Sequence, residues 1–135
     1  MARPRHPHPT PAELEVLQIL WSRGDLTVRE VLEVLNRRRR RAYTSVMSLL
    51  NVMTEKGLLA RRPQGRAFSY HPRVDQEKMV GSIVGDLLGR VFEGSASTLV
   101  AHLLEQSSPS PDELERIHGL IAAYEEAGRR AKEKR

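Results

Sequence analysis

Apolar residues recur at helical spacing through the first part of the chain. Leu14, Leu17 and Trp21 fall on one side of a helix, and Val16 and Leu20 widen that stripe. Thr10, Pro11 and Glu13 just before it are an N-cap, a first-turn proline and a capping-box carboxylate. Gly24 is a stop. A second capping box, Thr27 and Glu30, leads into Val28, Val31, Leu32 and Leu35. The spacing appears a third time in Val46, Leu49, Leu50 and Met53, and Gly57 ends that helix. Three short amphipathic helices so close together can share one small core.

The period then changes. LLARRPQGRAFSYH contains two strand-like runs around Pro63-Gln64-Gly65-Arg66, with Phe68 and Tyr70 alternating in the second. That pattern predicts a hairpin. Three helices followed by a basic hairpin is the order of elements in a winged helix-turn-helix. Helical spacing returns after Asp75, where Met79, Val80, Ile83, Val84, Leu87, Leu88, Val91 and Phe92 form a broad band. Leu99, Val100, Leu103 and Leu104 predict a shorter helix. Ser110-Pro111-Asp112-Glu113 reads as a third capping box, opening a last helix with Leu114, Ile117, Leu120, Ile121 and Tyr124. The expected fold is mainly α with a small β-hairpin wing. Its parts are a disordered basic tail (1–9), a winged-helix domain (10–73), a second, helical domain (74–128) and a disordered polar tail (129–135).

Charge separates the two halves. The formal net charge is +5, but residues 1–73 hold 14 Lys and Arg against 6 Asp and Glu, whereas residues 74–135 hold 8 against 11. A basic first half suits a polyanion. The absence of cysteine excludes disulfides, thiolate metal sites and cysteine nucleophiles. No apolar run approaches the roughly 18 residues of a membrane span, and MARPRHPHP has no apolar signal core. The expectation is a soluble cytoplasmic protein.

The densest positive charge lies in RRRRRAYTSVMSLLNVMTEKG, residues 37–57. With its apolar stripe turned to the core, the third helix presents Tyr43, Thr44, Ser45, Met47, Ser48 and Asn51 outward. Hydroxyls and amides there can bond base edges, and Met47 offers an apolar surface to a thymine methyl. Taken singly, each feature has a plain explanation: a polar helix face, or a solvated charge run. Their combination favours a duplex. Arg39, Arg40 and Arg41 before the helix and Arg61, Arg62 and Arg66 in the wing are suited to phosphates. Thr27 and Arg29, at the start of the second helix, fit a further phosphate, although Thr27 also serves as an ordinary cap.

The second half asks for a different partner. Its three helices cannot hide so broad a band among themselves. Packing on the first domain is one outlet; a second copy of the chain is the better one, giving a two-fold dimer that reads palindromic half-sites. The residues expected in that interface are Met79, Val80, Ile83, Val84, Leu87, Leu88, Val91, Phe92, Leu99, Leu103, Ile117 and Ile121. Catalysis has little support, with no HExxH motif and no serine elbow. His102 and His118, near Glu105 and Glu115, could hold a metal or ligand but fit surface or interface positions better, and His6-Pro7-His8 is weaker still. No enzyme, cofactor or metal is expected.

The chain resembles the penicillinase repressors, the BlaI/MecI family. PAELEVLQILWSRGDLTVREVLEVL, AYTSVMSLLNVMTEKGLLARRPQGRAFSYHP, VFEGSASTLVAHLLEQ and SPDELERI carry the likeness in that order. It implies a winged-helix repressor, dimeric through its C-terminal domain, that contacts operator dyads around Thr44, Ser45, Met47 and Ser48. Two departures stand in the third helix: Val52-Met53 replaces a frequent Arg-Leu pair, and Met47 replaces a frequent basic residue. In antibiotic-responsive members a membrane sensor protease is a partner, and the repressor is cut at an Asn-Phe bond. Here His102-Leu103 stands at about that point. Relatives that sense copper use cysteines, which this chain lacks. The reading from another class is a winged-helix adaptor whose basic surface binds an acidic protein.

Overall fold

Thr10 starts the first helix with a reciprocal pair of bonds. Its hydroxyl accepts from the Glu13 N–H at 3.2 Å, and its own N–H donates to Glu13 Oε1 at 2.9 Å. Thr27 and Glu30 do the same at 3.3 and 2.9 Å. Both expected capping boxes are therefore complete. The structure, a computed structural model, describes residues 8–134; most of the expected tail 1–9, with His6, lies outside the described residues. The elements run α1 (Pro11–Arg23), β1 (Leu26–Thr27), α2 (Val28–Asn36), α3 (Tyr43–Glu55), β2 (Leu59–Gln64), β3 (Ala67–Pro72), α4 (Gln76–Arg90), α5 (Ala96–Ser107) and α6 (Pro111–Glu133). This is the mainly helical fold with a β wing that the periodicity predicts.

The first three helices meet as their stripes require. Val16, Leu17 and Leu20 of α1, Val28, Val31 and Leu35 of α2, and Val46, Leu50 and Met53 of α3 are buried in one core with Leu59 and Tyr70. Trp21 and Leu32 pack at its margin. The Trp21 indole N–H also donates to the Val74 carbonyl at 3.0 Å, tying the segment after β3 back to α1.

The hairpin is joined by a third strand, β1, so short that the sequence shows no period there. The sheet order is β1-β3-β2, all antiparallel, with Leu26 opposite Tyr70 and Thr27 opposite Ser69. Gln64 pairs with Ala67, so Gly65-Arg66 alone makes the wing turn. Gly65 has φ +62°, the positive value that the first position of a tight type II′ hairpin turn needs.

By contacts the chain forms two compact units that meet after Asp86, within α4. Two expectations for the second half change. The box at Ser110 is only half formed: Ser110 Oγ accepts from the Glu113 N–H, but the Glu113 carboxylate bonds Arg116 instead. The polar C-terminal stretch is helical as far as Glu133, not frayed from residue 129. Glu126 pairs there with Arg129 and Arg130 at i+3 and i+4.

Candidate nucleic-acid interface

Burial of Val46, Leu50 and Met53 fixes how α3 is rolled. At 100° per residue, Tyr43, Met47 and Asn51 then line one flank, and Thr44 and Ser48 point directly away from the core. Ser45 and Val52 take the other flank. All seven are exposed. Ala42 is the N-cap and supplies no side-chain bond, so the N–H groups of the first turn of α3 lack a side-chain partner.

A groove runs beside α3, lined by Thr27, Arg29, Tyr43, Met47, Asn51, Arg61, Arg66 and Phe68. It brings together the start of α2, one flank of the third helix and the wing, three elements distant in sequence. Two of its arginines lie over aromatic rings. The Arg29 guanidinium carbon is 5.7 Å from the Tyr43 ring centroid, and that of Arg61 is 4.5 Å from Phe68. Such stacking holds a guanidinium in place and leaves its charge available. The Thr27 hydroxyl is already engaged in capping α2.

The wing sorts its arginines by face. Arg61 lies opposite Tyr70 and Pro63 opposite Phe68, so these share the groove side. Arg62, opposite Ser69, is on the other side, 3.4 Å from Asp25 Oδ2. Asp25 also holds His71 Nδ1 at 2.8 Å. Nothing in the local sequence around Asp25 marks it as a cross-sheet partner.

The arginine run divides as well. Arg37–Arg40 are exposed on the turn between α2 and α3. Arg41, expected beside Arg39 and Arg40 on phosphate, is instead folded inward with 15% of its side chain exposed. Its guanidinium meets Glu15 at 3.1 Å and the Leu35 carbonyl at 3.3 Å. At the far end of α3, Lys56 donates to buried Glu13 at 2.8 Å. Burial by itself would raise the Glu13 pKa. The bonds from Lys56 and Thr10 outweigh it and hold that carboxyl below its ordinary value.

The residues expected at a dimer interface lie on α4, α5, α6 and the turn after α4. Val80, Val84, Leu87, Val91, Leu103 and Ile121 are exposed. Met79, Ile83, Leu88, Phe92, Leu99 and Ile117 are half-buried. His102 lies against Phe92, with ring centroids 5.4 Å apart, and His118 is exposed. His8 is 3.3 Å from Asp86. No three His, Cys, Asp or Glu side chains among the described residues converge as a metal set would. No described helix is long and apolar enough to cross a membrane.

Residues 9–123 match the penicillinase repressor family. The chain is 32% identical over 115 residues to the transcriptional regulator BlaI of Mycobacterium tuberculosis, covering 84% of this chain and 82% of that one. It is 26% identical over 118 residues to the penicillinase repressor of Bacillus licheniformis, covering 87% and 92%. Among solved structures, the transcriptional regulator Tm0710 of Thermotoga maritima superposes with a TM-score of 0.51 over 85% of this chain and 78% of that one. Its identity is 21%, a likeness of fold. The groove and wing therefore stand in a chain that belongs to the penicillinase repressor family of winged-helix DNA-binding repressors.

Proposed function

We propose that the protein is a homodimeric repressor that binds a palindromic operator, with α3 in the major groove and the wing on flanking phosphates. The observation that carries this reading is the groove beside α3. Arg29, Arg61 and Arg66 surround an exposed helix flank that presents Tyr43, Met47 and Asn51. Arg39 and Arg40 add charge on the turn before the helix. In this reading the uncapped first turn of α3 meets the duplex, and Thr44 and Ser48 reach base edges. The second copy is supported by α4, α5 and α6, which bury no residue in one chain. Two-fold symmetry of the protein then matches two-fold symmetry of the operator.

Paired binding curves test this, on the duplex that the protein selects from a randomised pool and on a scrambled duplex. With about three to four phosphate contacts per subunit, log affinity should fall against log salt with a slope of about −5 to −7. Thr44→Ala and Ser48→Ala should weaken the selected duplex and spare the scrambled one. Arg61→Ala and Arg66→Ala should weaken both and flatten the slope, because phosphate contacts carry no direct sequence information. Equal losses on both duplexes for the helix variants would remove Thr44 and Ser48 from base reading. A shallow slope with no selected sequence would favour an acidic protein as the partner.

A further inference from the structure

We propose that Arg41 is a positioning residue for DNA recognition, fixing the turn between α2 and α3 and so the angle at which α3 meets the duplex. The proposal rests on the DNA reading above and assigns Arg41 a role different from that of its neighbours. Arg37–Arg40 project into solvent, whereas Arg41 turns back into the fold. Its Nη2 lies 3.1 Å from both Glu15 carboxylate oxygens, and its Nη1 donates to the Leu35 carbonyl at 3.3 Å. The Arg41 backbone N–H donates to Asn36 Oδ1 at 2.8 Å.

These bonds fasten the turn at both ends. Asn36 is the last residue of α2, and the Leu35 carbonyl in its final turn accepts from the Arg38 and Arg39 N–H groups as well as from the Arg41 guanidinium. A cation is favoured at that helix end. Glu15 belongs to α1, whose neighbours Val16 and Leu17 are wholly buried, so the anchor stands on a rigid element. Arg41, two positions before Tyr43, thus ties the entry of α3 to α1 and to the end of α2. Helix α3 begins there without a side-chain cap. Its approach is instead held just upstream of the N-cap Ala42, by the Arg41 N–H on Asn36 and the Arg41 guanidinium on Glu15 and Leu35.

A phosphate could take Arg41 only by breaking the Glu15 pair. With 15% of the Arg41 side chain exposed and 31% of Glu15, that exchange is disfavoured. Bonds to base edges depend on the aim of α3 more steeply than charge contacts to phosphate do. A slackened turn should therefore damage sequence reading and leave general affinity nearly intact.

The same two duplexes test the idea, with Arg41→Ala, Arg41→Lys and Glu15→Gln and a thermal melt of each variant. Arg41→Ala and Glu15→Gln should each lower affinity for the selected duplex by roughly tenfold, as loss of one good base contact does. Binding to the scrambled duplex and its salt slope should change by less than about twofold. Arg41→Lys, which keeps the charge but loses the planar fork, should recover part of the loss; with Glu15→Gln it carries the test should Arg41→Ala unfold. The sign of the Glu15→Gln effect is decisive. Higher affinity for both duplexes with a steeper slope would mean that Arg41, once released, serves as a phosphate contact, and would overturn the proposal. An unchanged ratio between the duplexes in Glu15→Gln and Arg41→Lys would also overturn it. A wild-type chain that prefers neither duplex would overturn the operator reading and this role with it, and that result is visible before any variant is compared.

Discussion

The first three helices and the last three have similar apolar stripes and opposite fates. In α1, α2 and α3 each stripe is sunk in a shared core, and Leu17, Val31, Leu50 and Met53 have no exposed surface. In α4, α5 and α6 no residue is buried, and Leu87, Leu103 and Ile121 are 40%, 55% and 51% exposed. The difference lies in what each stripe has to pack against. The first set surrounds a small sheet that contributes Leu59 and Tyr70, whereas the second contains no strand. Apolar surface left in water forfeits about 25 cal/mol per Å². Periodicity thus says which face of a helix will be covered, but not by which chain.

The largest effect should come from charging the uncovered face. Leu87→Asp would put a carboxylate from each chain into the proposed interface, costing several kcal/mol of association. Light scattering at micromolar concentration should show a wild-type dimer and a mutant monomer. A wild-type monomer, or a mutant that stays dimeric, breaks the contrast. Leu50→Ala should cost about 2–5 kcal/mol, by opening a cavity in the N-terminal core. The two variants sharpen the comparison through concentration. Melting of the winged helix should be insensitive to dilution, whereas unfolding of α4–α6 should shift with it.

A smaller effect concerns acid. The Glu13 carboxyl is held below its ordinary value, so the charged form stabilises the fold. That stabilisation is present above the unfolded carboxyl's pKa and is lost as pH falls through the lower folded value. The melting temperature of the winged helix should therefore drop in acid. Glu13→Gln should cost about 1–3 kcal/mol of folding stability near neutrality and make the acid slope shallower. An unchanged slope would place the acid sensitivity in other carboxylates.

Local signals in the sequence were legible; pairings across the fold were not. Thr10, Glu13, Thr27 and Glu30 announce their helices because a capping box lies within four residues. Strand β1 has two residues, too few to show a period, and exists because Tyr70 and Ser69 offer an edge. The Lys56–Glu13 bond spans 43 positions and Arg41–Glu15 spans 26, so no spacing rule reaches them. The end of α6 could have been read better. AGRRAKEK lacks an apolar stripe, but Ala, Arg, Lys and Glu are strong helix formers and Glu126 has partners one turn on. The exposed polar face of α3 and the hairpin follow from local period and spacing. The separation of Arg41 and Arg62 from the other arginines does not, since a run of identical residues carries no sign of which one turns inward.

The two-residue turn at Gly65-Arg66 restricts how this wing can change over evolution or in the laboratory. Side chains along β2 alternate, with Arg61 on the groove side and Arg62 on the Asp25 side. Inserting one residue between Leu59 and Arg61 would exchange those faces, sending the groove arginine toward Asp25 and its neighbour into the groove. Inserting two would restore them. Viable wings in this lineage should therefore differ in strand length by even numbers, with odd changes accompanied by a bulge or by loss of the Asp25 carboxylate.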